Sequence, residues 1–244
     1  MTLILAHRGS AGTHPENTME SFKAAEKAGA DGIELDVHFS KDGEIVVIHD
    51  NTVDRTTDGT GYINQLTLAE LKKLKANYHY KHFFNKASRI PTLREVFEWL
   101  SGNQLLCNIE LKNSDQPHEG LEDKVIELIK EFNLVTRTFI SSFNHYSLVY
   151  INNQYPEIET APLYNDILYK PWEYAKTLGS IGIHPKYKVI TNEMIETAIE
   201  NGIAVRPYTI NKEKDMKRFI QANCSAIITD YPEKAVKLRA KIKR

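Results

Sequence analysis

Cysteine is scarce in this chain, and an excess of charge of either sign is missing. The two cysteines among 244 residues, Cys107 and Cys224, each sit inside an apolar run, LLCNI and NCSAII. That argues against a disulfide framework or a cysteine-based zinc site and leaves two buried free thiols as the expectation. Basic residues number 31 against 32 acidic ones, for a formal net charge of -1. Nothing in that balance attracts nucleic acid or an anionic membrane. No apolar stretch has the ~20 residues needed to cross a bilayer, and the first residues lack a charged segment followed by a long apolar run. No nucleic-acid partner, no stable membrane association, no cleavable signal and a cytoplasmic location are therefore expected. The basic ending AVKLRAKIKR reads as a terminal helix with a solvated face.

What the chain does have is a rhythm of short apolar runs with helical segments between them. Strands are expected at Leu3–Ala6, Gly32–Val37, Leu105–Leu111, Thr138–Ser142, Glu159–Leu163, Ser180–His184, Ala204–Pro207 and Ala226–Thr229. Eight is the number that closes a parallel barrel, so the fold class is α/β, a TIM (β/α)8 barrel. Asn17 with Glu20 and Thr92 with Glu95 have the spacing of helix N-caps, and Gly29 and Gly202 stand where helices end. Met19, Phe22 and Ala25 fall on one stripe, as on a helix lying against a sheet. The rhythm breaks from Asn51 to about Pro91, a stretch of turn residues with a capped helix expected at Thr67–Lys75 and an aromatic, basic patch, YHYKHFFNK. One domain over 1–244, with a small insertion after the second strand at about 51–91, is the economical organisation.

The chemistry is concentrated in IELDVHFSKDGEIVVIHD, Ile33 to Asp50. Helices cover the outside of a parallel barrel, so Ile33, Leu35 and Val37 must face outward. Glu34 and Asp36 then point into the barrel near the carboxyl end of the strand, where barrels place their active sites. NIELKN repeats the pattern and sends Glu110 and Lys112 inward beside them. Three converging carboxylates repel one another unless a cation compensates, and oxygen ligands alone select one hard divalent ion, Ca²⁺ or Mg²⁺. His7 and His49 end apolar runs beside the same acids, with side chains suited to act as base and acid. Arg8 and Lys112 add fixed positive charge for an anionic tetrahedral centre, which points to phosphoryl chemistry.

HRG, PENTMESFKAA, GADGIELDVHFSKDGEIVVIHD, DRTTDGTG, IPTLREVF and NIELK follow one another as in the glycerophosphodiester phosphodiesterase family, and SSFN, RPYTIN and ITDYP are weaker echoes. The resemblance spans essentially the whole chain. It implies a TIM barrel with the small insertion, and metal-dependent hydrolysis of glycerophosphodiesters to sn-glycerol 3-phosphate and an alcohol. It also implies Glu34, Asp36 and Glu110 as metal ligands, His7 and His49 as the acid/base pair, and Arg8 and Lys112 as holders of the phosphate. Phe143 in SSFN and Tyr208 in RPYTIN stand where a wall for the glycerol would be, with ordinary core packing as the equal alternative for both. Related sequences often have Trp at the position of Tyr208, so its hydroxyl departs from the pattern.

Three features have a blander reading alongside. His38 shares a face with Asp36, and a role behind the metal ligands or at the surface suits it. Asp230 and Asn211 follow late strands, where helix capping accounts for them. Rival functions are a lysophospholipase D-type enzyme whose entrance would be Tyr78, Tyr80, Phe83 and Phe84, a non-catalytic metal-containing binding module, and a sugar-active metal barrel. The preferred alcohol, the choice of ion and the oligomeric state are not legible in the chain.

Overall fold

The computed structural model describes residues 1–76, 88–114 and 118–242. The aromatic patch YHYKHFFNK and the four rings assigned to a lipid entrance lie outside the described residues.

The strands are β1 Leu3–His7, β2 Gly32–Phe39, β3 Ile45–Val47, β4 Leu106–Leu111, β5 Thr138–Ser142, β6 Glu159–Tyr164, β7 Gly182–Pro185, β8 Ala204–Val205 and β9 Ala226–Thr229. Eight of them run parallel in the order β8-β7-β6-β5-β4-β2-β1-β9. The ends of this row are drawn together by hydrogen bonds from Ile228 N to Pro207 O (3.0 Å) and from Ile210 N to Ile228 O (2.9 Å). The expected TIM barrel is the observed fold. β3 was not foreseen as a strand of its own. A turn at Ser40–Gly43, closed by Gly43 N to Ser40 O at 3.0 Å, folds it back antiparallel on β2, pairing Val37 with Val47.

Outward-facing Ile33, Leu35 and Val37 are fully buried with Val96, Phe97, Val125 and Ile126 of helices α3 (Leu93–Leu100) and α4 (Leu121–Glu131). The apolar stripe of α1 (Met19–Lys27) behaves as read, with Phe22 and Ala25 buried and Met19 packed against the same cluster. Thr92 and Glu95 form a reciprocal capping box on α3. The cap of α1 is one residue later than expected, at Thr18 with Ser21, because Asn17 adopts φ +54° and spends its side chain elsewhere. α2 (Leu68–Leu71) is capped by the Thr67–Glu70 box and ends short of the expected Lys75. Val46, Ile48, Val53, Ile63, Leu71, Ala76 and Ile90 form a satellite core. Cys107 and Cys224 are buried free thiols, as expected.

Register sets the height of each inward side chain. His7 pairs with Glu34 across β1–β2, and Asp36 pairs with Glu110 across β2–β4. The carboxyl ends of three adjacent strands therefore deliver His7, Glu34, Asp36 and Glu110 to one mouth of the barrel.

Candidate active site

Glu34 and Asp36 are 3% and 0% exposed, and Glu110 is 9% exposed. One carboxylate oxygen from each lies within 4.8 Å of the others. Burial, then Asp36 and Glu110, push the Glu34 carboxyl well above its ordinary range. Glu110 is raised by burial and by Asp36, against the pull of Lys112. For Asp36, burial is outweighed by the charges of Arg8 and Lys112 and by the hydrogen bond from Asn17, which hold it low.

Arg8 follows β1 with φ +52°. That turn brings its backbone N–H to Glu34 Oε2 at 2.9 Å and its Nη1 to Glu16 Oε1 at 2.8 Å. Its Nε sits 3.3 Å from Asp36 Oδ2 without hydrogen-bond geometry. The turn depends on Gly9, at φ +79°, where a Cβ would stand 2.6 Å from the backbone carbon of Ser21. Asn17 donates to Asp36 Oδ2 at 2.8 Å. Lys112 Nζ donates to Glu110 Oε1 at 2.7 Å and lies 3.8 Å from Asp36 Oδ1, which has no hydrogen-bond partner.

Two cations against three buried carboxylates leave the cluster one positive charge short. Together with the unpartnered Asp36 oxygen and the oxygen spacing, which is within the span of ligands about a hard divalent ion, the donor set fits such an ion.

Both histidines are backed by a carboxylate. His7 Nδ1 donates to Asp230 Oδ1 at 2.6 Å, and Asn211 Nδ2 holds the other oxygen of Asp230. His49 Nδ1 donates to Asp50 Oδ1 at 2.7 Å, and Lys112 Nζ approaches its Nε2 at 3.2 Å, a contact that needs the neutral ring. Each pairing fixes the tautomer and leaves Nε2 for proton transfer. Asp230 is drawn down by His7 and Asn211 against the effect of its burial. Capping is thus not the work of Asp230 and Asn211; they hold His7 from the end of the neighbouring strand, where β9 pairs with β1. His38 is 1% exposed, which excludes a surface role, and its Nε2 donates to the carbonyl of His49 at 3.1 Å. Burial drives its imidazole down to about 4, so it stays neutral there.

Phe143 and Tyr208 are brought together edge to face, ring centres 6.3 Å apart, both half-buried. The Tyr208 hydroxyl has its one proton within reach of two acceptors, Tyr164 O at 3.2 Å and Asn165 Oδ1 at 3.1 Å.

His7, Arg8, Glu34, Asp36, His49, Glu110 and Lys112 lie together at this mouth, and further residues touch them. Glu16, Asn17, Asp50 and Arg55 were missed as site residues, although all four fall in quoted motifs, PENTMESFKAA, VVIHD and DRTTDGTG.

The chain as a whole is similar to known proteins. Residues 7–234 match the glycerophosphoryl diester phosphodiesterase family. A glycerophosphodiester phosphodiesterase of Caldanaerobacter subterraneus subsp. tengcongensis is 45% identical over 237 residues, covering 97% of each chain. One from Bacillus altitudinis is 41% identical and covers both chains fully. Among solved structures, an Oleispira antarctica phosphodiesterase in complex with the product sn-glycerol-3-phosphate superposes with a TM-score of 0.83 at 32% identity, covering 100% of this chain and 98% of that one.

Proposed function

The chain belongs to the glycerophosphoryl diester phosphodiesterase family and is a phosphodiester hydrolase; from that premise we propose that His7 and His49 carry its acid/base chemistry, and that the reaction depends on a divalent cation. The observation that supports this most is the pair of carboxylate-backed imidazoles beside three buried carboxylates and two fixed cations. Glu34, Asp36 and Glu110 are the residues that would hold the cation. Bound there, it supplies Lewis-acid polarisation of the phosphoryl oxygens.

The protein's own groups do the rest. Arg8 and Lys112 hold the non-bridging oxygens and offset charge as phosphorus becomes five-coordinate. One histidine Nε2 takes the proton from the attacking hydroxyl, and the other returns one to the leaving alcohol. Asp230 and Asp50 hold each ring in the working tautomer and stabilise it when it carries the extra proton. Phe143 and Tyr208 wall the glycerol side. The substrate is a water-soluble glycerophosphodiester, and the products are sn-glycerol 3-phosphate and an alcohol. We take 1–244 to act as one catalytic domain, with the 51–91 excursion carrying Arg55 to the site. Among the described residues no helix is long and apolar enough to cross a membrane.

The test is release of glycerol 3-phosphate from glycerophosphocholine, glycerophosphoethanolamine and, as the lipid rival, lysophosphatidylcholine. Turnover of the first two at least tenfold above the third is the expected result. Preference for the lysolipid would replace this reading with the lysophospholipase D-type one.

A further inference from the structure

DRTTDGTG supplies none of the groups given a role in the chemistry, yet its arginine touches both halves of the site. Arg55 Nε donates to Asp50 Oδ2 at 2.6 Å and its Nη2 to Asp50 Oδ1 at 3.1 Å. The same guanidinium donates through Nη1 to Glu16 Oε2 and through Nη2 to Glu16 Oε1, both at 2.7 Å. Asp50 receives the proton-bearing Nδ1 of His49, and Glu16 receives Nη1 of Arg8. An unbroken chain therefore runs His49–Asp50–Arg55–Glu16–Arg8.

The turn that presents Arg55 is firm. Val53 is fully buried in the satellite core, and Val53 N to Gly61 O (3.0 Å) and Thr57 N to Val53 O (3.1 Å) close the loop on either side. Stability is a poor account of the contact. The Arg55 side chain is 43% exposed, and ion pairs this open contribute about 0–1 kcal/mol. What the planar fork adds is geometry, since two carboxylates gripped by one rigid guanidinium cannot move independently.

Resting on the reading above, we infer that Arg55 is a positioning residue that locks the proton-transfer arm at His49 to the phosphate-holding arm at Arg8. The excursion after β2 thereby sets the spacing of two groups that must meet the substrate together. Cutting one arm at a time separates the two effects. Asp50→Asn loosens the His49 side and lowers kcat, with KM held within about threefold. Glu16→Gln loosens the Arg8 side and raises KM, with the smaller effect on kcat. Arg55→Ala does both.

The experiment measures kcat and KM for glycerophosphocholine hydrolysis in wild type, D50N, E16Q, H49A, R8A, R55A, R55K, H49A/R55A and R8A/R55A, with thermal melting of each variant. R55A is expected to lose about 10–100-fold in kcat/KM, the usual cost of removing a group that orients a site residue. R55K, able to reach one carboxylate but not to grip both, should recover part of that loss. The R55A loss should shrink in both the H49A and R8A backgrounds, as residues acting as one unit are not additive. A folded R55A with kcat/KM within twofold of wild type overturns the inference. So does a loss carried at full size into both backgrounds. Full activity in H49A and R8A themselves would instead overturn the site assignment.

Discussion

Removing one of the three buried acids should change stability in opposite directions depending on the cation. At the 4.8 Å limit of their spacing and an effective dielectric of about 20, two carboxylates repel by roughly 3.5 kcal/mol. Arg8, with its backbone N–H on Glu34, cancels much of that, leaving about 1–2 kcal/mol to be relieved by Glu34→Gln. At roughly 2–4 °C per kcal/mol for a chain of this size, the variant should melt about 2–8 °C above wild type in EDTA.

The sign with pH follows from the raised Glu34 carboxyl. A group raised in the folded state favours folding below its ordinary value of 4.5 and loses that contribution as pH rises through the folded one. The advantage of the variant in EDTA therefore grows above pH 4.5 and vanishes at pH 4. Saturating cation reverses the order. At a hundred times Kd the wild type gains about 2.7 kcal/mol, or roughly 5–11 °C, and the variant, short of a charged ligand, gains less. Differential scanning fluorimetry with EDTA, Ca²⁺ and Mg²⁺ between pH 4 and 8 reads all of this without activity. A variant less stable than wild type in EDTA, with an unchanged cation shift, would mean that Arg8 and Lys112 satisfy the acids alone.

Asp230→Asn should keep the contact with Asn211 in altered form but lose the charge-assisted bond to His7. That bond is worth about 1.5–3 kcal/mol, so kcat should fall by roughly 10–160-fold with an intact cation shift in melting. An unchanged kcat would detach Asp230 from the chemistry. Gly9→Ala forces a side chain into φ +79° against the backbone of Ser21. About 1–3 kcal/mol of stability should go with it, together with activity, through the displaced Arg8 turn; a melting point within 1 °C of wild type would contradict this. Burial pushes the Cys224 thiol up to about 12 and the Cys107 thiol higher still. Neither should react with a disulfide reagent before the protein unfolds, and fast native labelling would place one of them at the surface.

Local pattern made much of this site legible. Strict alternation in IELDV and NIEL sends acids one way and aliphatics the other, and parallel-barrel packing decides which way is inward. What was misread depends on contacts between distant parts of the chain. Asp230 and His7 are 223 residues apart and meet only because β9 closes on β1. At the end of a strand, an aspartate aimed at a histidine and one capping a helix look alike. Asn17 resembled an N-cap because its type suits one, but its amide serves Asp36, and Thr18 takes the cap. The reach of Arg55 to Glu16, 39 residues away, follows from how the excursion folds over its own small core.

The central claim is that a divalent cation and two histidines act at one phosphodiester site. It is tested most directly by glycerol 3-phosphate release from glycerophosphocholine with Ca²⁺, with Mg²⁺ and with EDTA, on wild type, His7→Ala and His49→Ala. The account predicts activity that disappears in EDTA, returns with at least one of the ions, and falls about 10²–10⁴-fold in each histidine variant. Full turnover in EDTA, or near-wild-type turnover in either variant, would contradict it.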